Sequence, residues 1–234
     1  MSTRDAIALL AGTVMIVSLL GHTEATPPTP PPTPASPLAN TDGTRPGLAP
    51  LTTSADRRHA RTLIHRLPTR RMGPKTGYTR RHYGKNWTDA APGVPYARNG
   101  CRTRDDLLTR DGTDLRKNGC HVTALHLDDP YTGRRLTRPS DIQVDHVIPL
   151  SYAWRMGARH WPKPKRLAFA QDPLNLLPVH GEANEAKDGS GPAAWLPPQR
   201  RIRCSYAVRW AQVALKYDLP VTPADKATML AQCR

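Results

Sequence analysis

The segment Gln143-Val144-Asp145-His146-Val147-Ile148-Pro149-Leu150 is apolar and β-branched apart from an acid and an imidazole set side by side. Asn175 follows in Asp172-Pro173-Leu174-Asn175-Leu176-Leu177, and Glu182-Ala183-Asn184-Glu185-Ala186-Lys187 supplies an Asn-x-x-Lys pattern. These residue types suit phosphodiester hydrolysis. That reaction needs a base to take a proton from water and a cation to neutralise the phosphate and the leaving oxygen. His146 is the candidate base, because an unperturbed imidazole titrates near neutrality. Asp145 and the side-chain carbonyl of Asn184 are hard oxygen donors, suited to one divalent ion: Mg²⁺ first, with Mn²⁺ and Zn²⁺ as alternatives.

These groups need elements to position them. Successive side chains of a strand point to opposite faces, so Asp145 and His146 serve one site only if the strand bends or ends there, before Pro149. Asn184 and Lys187, at i and i+3, share a helix face. Asn175 lies outside both elements, where it can tie the His-bearing loop to the site. His180, four residues before Asn184, is a competing ligand. Twenty-eight residues separate His146 from Asn175, which predicts an inserted segment between the two strands of a hairpin.

The constellation resembles the HNH endonucleases, and within them the DUF1524 (GmrSD C-terminal type) family, in a secreted, actinobacterial-like form. The resemblance takes in Asp145 to Leu150, Ser151-Tyr152-Ala153-Trp154, Asn175-Leu176-Leu177, Asn184-x-x-Lys187 and Trp195-Leu196-Pro197-Pro198. It adds Gly77-Tyr78-x-Arg80, Tyr83-Gly84-x-x-Trp87-x-Asp89, Cys101 to Asp106, Cys204-x-Tyr206-Ala207 and Cys233, and so spans roughly residues 56 to 234. It implies an α+β fold with a ββα-metal (HNH, His-Me finger) core, extra helices and disulfides. It implies His146, Asn175 and Lys187 as the catalytic group, and Asp145 and Asn184 as metal ligands. The four cysteines allow three pairings. Their spacing lacks the C-x-x-C of a zinc site, and the family implies Cys101–Cys120 and Cys204–Cys233.

The chain carries a net charge of +15, which fits a polyanionic partner, nucleic acid and DNA in particular. Candidate phosphate contacts are Arg80, Arg81, Arg102, Arg104, Lys163, Lys165 and Arg166, with Arg102 and Arg104 also able to pair with Asp105, Asp106 or Asp111. Two readings from other classes stand beside the nuclease: a nucleic-acid-binding protein without activity, and a metal hydrolase of another phosphoester.

Three regions follow from composition. Residues 1–25 hold an apolar run from Ala6 to Leu20 and a small-residue end at Ala25. They read as a signal peptide, or as an N-terminal anchor at the outer face of the membrane, although fifteen apolar residues fall short of the roughly 20 needed to span a bilayer. Residues 26–54 are rich in Pro, Thr and Ser and read as a disordered spacer. Residues 55–234 are one domain's worth, expected to act as a monomer without a stable membrane partner beyond such an anchor. Within them a helix is expected over residues 56–66 with Ser54 as cap, another near Ser205 to Tyr217, and a third after Thr222-Pro223, where Thr222 and Asp225 approximate a capping box. Tyr83 and Trp87, at i and i+4, are expected in the core, and the turn Asp129 to Gly133 is given no catalytic role.

Overall fold

A computed structural model describes residues 32–234; the expected leader, with its run to Leu20 and its end at Ala25, lies outside them. Helix α1 (Ser54–His65) is followed by α2 (Thr103–Asp111), β1 (Thr113–Asn118), β2 (His121–Asp128), β3 (Arg135–Leu136) and β4 (Ile142–His146). Then come α3 (Leu150–Met156), α4 (Lys163–Gln171), β5 (Leu176–His180), α5 (Gly181–Lys187), α6 (Arg203–Lys216) and α7 (Pro223–Gln232). The chain is therefore α+β, with small antiparallel sheets. Among the described residues no helix is long and apolar enough to cross a membrane.

Local sequence explains the helices that support the site. In α1 the cap is Thr53, whose hydroxyl accepts from the Asp56 amide at 3.0 Å; Ser54, the expected cap, is the first helical residue. Ala60 and Ile64, four apart, are the buried face of α1. In α7 Thr222 caps the Asp225 amide as expected, and Pro223 occupies the first turn, where a missing N–H costs nothing. The longest helix, α6, buries Ala207, Trp210, Ala211 and Ala214, and also Val208 and Val213. Cys204 and Cys233 are bonded and staple α6 to the end of α7, while Cys101 and Cys120 join the start of α2 to the β1–β2 turn. Cross-links across loops of this length each contribute on the order of 3 kcal/mol.

Two sheets divide the strands. β1, β2 and β3 form one, packed on α2 through Leu108, Val122, Leu125, Leu127 and Leu136. β4 and β5 form the other, antiparallel, with Asp145 opposite Leu177 and His146 opposite Leu176. The insertion expected from the His146-to-Asn175 spacing is present: α3 and α4 lie between the two strands. The chain returns to register through the Val147 amide, which donates to the Asn175 carbonyl at 2.8 Å. α5 follows β5 directly and ends where Asp188 turns to φ 45° ahead of Gly189.

The spacer needs correction. From Ala35 onward the Pro-rich segment packs against the domain, burying Leu48 and Leu51. Prolines already have a fixed φ and little freedom to lose, and the carbonyls they leave unpaired find donors. Gln212 donates to the Pro37 carbonyl at 2.6 Å, Ser205 to Ala49 at 2.6 Å, Arg110 to Gly43 at 2.6 Å and Tyr96 to Thr44 at 2.9 Å. Gly43 is required where it stands, at φ +76°, because an added Cβ would lie 2.3 Å from the Leu174 amide nitrogen. Among the described residues the packed domain thus includes the segment from Ala35 onward, well ahead of residue 55.

Candidate active site

β4 ends at His146, so the strand presents Asp145 and the chain bends away immediately after the imidazole. Both line an open cleft of about 600 Å³ whose wall also includes Arg80, Trp87, Arg104, Gln143, Asn184, Glu185 and Asp188. Asp145 is 4% exposed. Its Oδ1 accepts from Lys187 Nζ at 2.9 Å, and its Oδ2 accepts from the Tyr131 hydroxyl at 2.6 Å. Lys187, fully buried, also donates to the His146 carbonyl at 2.8 Å. Burial pushes the Asp145 carboxyl up and the Lys187 amine down, and each charge offsets the shift of the other. Burial, reinforced by Asp145, keeps the Tyr131 phenol protonated and so a donor.

His146 Nε2 lies 3.0 Å from the Ala170 carbonyl, which only accepts. The proton therefore sits on Nε2, and Nδ1 keeps its lone pair. Burial, and next the nearby Arg80, lower the imidazole pKa to about 3, so the ring is neutral. Trp87 stacks on it, with centroids 5.9 Å apart and planes 13° from parallel. Asn175, fully buried, fixes the loop behind the ring: Oδ1 accepts from the Ile148 amide at 2.8 Å and Nδ2 donates to the Phe169 carbonyl at 3.2 Å. Replacing Asn175 by Ala orphans a buried amide and is expected to cost about 1–3 kcal/mol in urea unfolding. A loss below about 0.5 kcal/mol would mean that the backbone finds other partners.

The donor set suits a hard divalent ion. Asp145 retains lone pairs on both oxygens, and the Asn184 amide nitrogen is committed to Gln143, at 2.7 Å, which leaves its oxygen free. Among the described residues no three His, Cys, Asp or Glu side chains gather into a cage. Two oxygen donors fit an ion that keeps several waters and takes substrate phosphate into its shell. His180 stands at the start of α5, its Nδ1 4.0 Å from a Glu182 oxygen, and does not line the cleft.

The basic candidates separate. Arg80 and Arg104 line the cleft, the latter half-buried and donating to the Pro139 and Ile142 carbonyls. Arg102 is exposed at the start of α2 and outside the cleft. Arg81 and Lys163 flank a separate hollow with Pro92, Pro164 and Leu167. Lys165 lies 4.8 Å over the Trp161 ring and 3.5 Å from Asp218. Arg166 is buried and bound to the His82 and Trp161 carbonyls. It holds the loop that carries Arg80 against α4 and lies outside the cleft, lining the hollow with Arg81 and Lys163.

Two aromatic residues at the site go beyond their expected roles. Tyr83 is a core residue, with its hydroxyl on the Leu150 carbonyl at 2.8 Å, while Trp87 packs partly against Leu107, Val144 and Leu176 and also lines the cleft. The i and i+4 spacing implied a shared helix face, whereas only a 3₁₀ turn forms over Arg80–Tyr83. Gly84 at φ 88° then redirects the chain. Tyr131 sits in the turn given no catalytic role, wedged between Trp195 and Tyr206. Its link to Asp145 is a tertiary contact that no local pattern announces.

Two antiparallel strands and a helix, presenting Asp, His and Asn to one cleft with arginines on its rim, make up a nuclease-type domain. The chain belongs to the family of the C-terminal domain of GmrSD restriction endonucleases, whose model matches residues 102–232 and so takes in β4, β5 and α5. An uncharacterized secreted protein of Arthroderma benhamiae is 37% identical over 173 residues, which cover 73% of this chain and 81% of that protein. No solved structure matches.

Proposed function

We propose that the protein is an exported, HNH-type endonuclease with a ββα-metal core formed by β4, β5 and α5, hydrolysing phosphodiester bonds of nucleic acid, DNA first. The observation that carries this reading is the tautomer of His146, with Nε2–H anchored on Ala170 and a bare Nδ1, beside Asp145 and Asn184 in one cleft.

In this mechanism Nδ1 takes the proton of the attacking water as its oxygen bonds to phosphorus, and the P–O3′ bond breaks. Asp145 and Asn184 would hold the divalent ion, which when bound would supply positive charge against the phosphodiester. Arg80 has two effects. Its charge disfavours a proton on His146; a phosphate seated against it offsets that charge, so the imidazole becomes a better base as substrate binds. Asn175 keeps the His146 loop in place, and Lys187 fixes Asp145. Export is supported by the two disulfides, which persist in oxidising compartments, and by the fungal relative's description as a secreted protein.

The test is incubation of the oxidised protein with supercoiled plasmid in Mg²⁺, Mn²⁺, Zn²⁺ or EDTA. Nicking that needs metal and stops with EDTA is expected, because the cleft also carries Glu185 and Asp188, which repel an unneutralised phosphate. Salt-sensitive DNA binding with no cutting in any metal would instead mark a binding protein. Cleavage of a small phosphodiester with no action on DNA would mark a hydrolase of another phosphoester.

A further inference from the structure

An asparagine that serves as a hard oxygen ligand must present its carbonyl and turn its NH₂ away, and the side chain alone does not decide which way it faces. In this cleft the decision comes from two neighbours. Gln143, on β4 two residues before Asp145, accepts from Asn184 Nδ2 at 2.7 Å through its Oε1 and donates through its Nε2 to Glu185 Oε1 at 2.8 Å. An ionised carboxylate only accepts. Glu185 therefore fixes the NH₂ of Gln143, which turns the Gln143 oxygen towards Asn184. Asn184 must then offer its NH₂, and its oxygen is left to the cleft. With the polarity reversed, Gln143 would donate to Asn184 Oδ1 and consume the oxygen that the ion requires.

The backbone is shaped to keep this chain in place. Gly181, the first residue of α5, lies under the Gln143 amide, and a Cβ there would come within 3.2 Å of its nitrogen and 3.5 Å of the Asp141 carbonyl. β4 and α5 thereby approach closely enough for a side-chain bond between residues 41 apart in sequence. Gln143 and Glu185 both line the cleft.

We infer that Gln143, set by Glu185, is a positioning residue that fixes the amide of Asn184 with its oxygen towards the divalent ion. This rests on the assignment of Asn184 as a ligand in the proposed function. Removing such a partner of a metal ligand typically weakens the metal about 10- to 100-fold.

The test is the Mn²⁺ dissociation constant of the oxidised protein, measured by calorimetry for wild type, Gln143→Leu, Asn184→Ala and the double variant, with thermal melting as a control for folding. Gln143→Leu is expected to raise the constant at least about 10-fold in the wild-type background and to have no further effect once Asn184 is Ala, because it acts only through that amide. Gln143→Ala, which removes the same acceptor with less steric demand, is expected to raise the constant in the same direction, and it serves if the leucine variant does not fold. A wild-type protein that binds Mn²⁺ while Gln143→Leu binds it equally well would overturn the relay and leave the nuclease reading intact. Equal losses in both backgrounds would overturn it too, since Gln143 would then act on the hairpin. A wild type that takes up no Mn²⁺ would overturn the metal site and the relay together.

Discussion

His146→Ala is expected to lower metal-dependent plasmid nicking by roughly 10²- to 10⁴-fold, the usual contribution of a positioned general base. DNA affinity should stay within about threefold, a change under 1 kcal/mol. The two effects separate because the imidazole is neutral and 6% exposed, while the cleft's cations are Arg80 and Arg104. The substitution also spares the bonds that set the site: Lys187 is held by the His146 carbonyl and the Asp145 carboxylate, neither of which changes. The space opened beneath Trp87 offers a further discriminator. Imidazole in the buffer should restore part of the nicking if a base is all that is missing. Loss of binding in step with loss of cutting would show that His146 contributes to substrate affinity and would remove the division of labour between base and basic rim.

The legibility of this chain in sequence follows the range of the interactions. Thr222 with Asp225, the buried face of α6 and the insertion between β4 and β5 are set by residues within a few turns or by a simple count, and all are found where expected. Asp145, His146, Asn184 and Lys187 were visible as polar residues breaking an apolar strand and sharing a helix face. The place of Trp87 in the cleft, besides its packing on Leu107, Val144 and Leu176, was hidden because its spacing to Tyr83 suggests a helix that Gly84 ends. Tyr131 and Gln143 reach the site through contacts 14 and 41 residues away in sequence, and nothing local marks either. The basic run Lys163 to Arg166 shows the limit of charge as a guide: one of the carbonyls that Arg166 satisfies, that of His82, lies 84 residues away in sequence, so its burial was illegible before the fold was known. The Pro-rich stretch is similar. Composition reports how little apolar surface it holds, but not that α2 and α6 offer donors to its free carbonyls.

The second large effect concerns Lys187, whose ammonium is fully buried between the Asp145 carboxylate and the His146 carbonyl. Lys187→Met keeps the volume and removes the charge, so Asp145 is left ionised in the interior with the Tyr131 hydroxyl as its remaining partner. Breaking a buried pair in this way costs about 3–5 kcal/mol, to be read from urea unfolding in EDTA, where no metal masks the loss. The sign of its pH dependence identifies the cause. Burial already holds the folded Asp145 carboxyl above its ordinary range, and loss of the cation raises it further. A carboxyl raised on folding favours the folded state when protonated, and that support is lost as pH rises through its folded value. The deficit of Lys187→Met should accordingly be largest near neutrality and shrink as pH falls. Adding Asp145→Asn removes the orphaned charge and should recover a large part of the loss, since a buried pair replaced at both ends is often close to neutral. A single-variant loss below about 1 kcal/mol, or a double variant no better than the single, would mean that the charge of Asp145 is met by something other than Lys187. With both charges removed, the fold should survive while the site no longer holds its ion, which would place the pair's value in positioning Asp145 more than in stability.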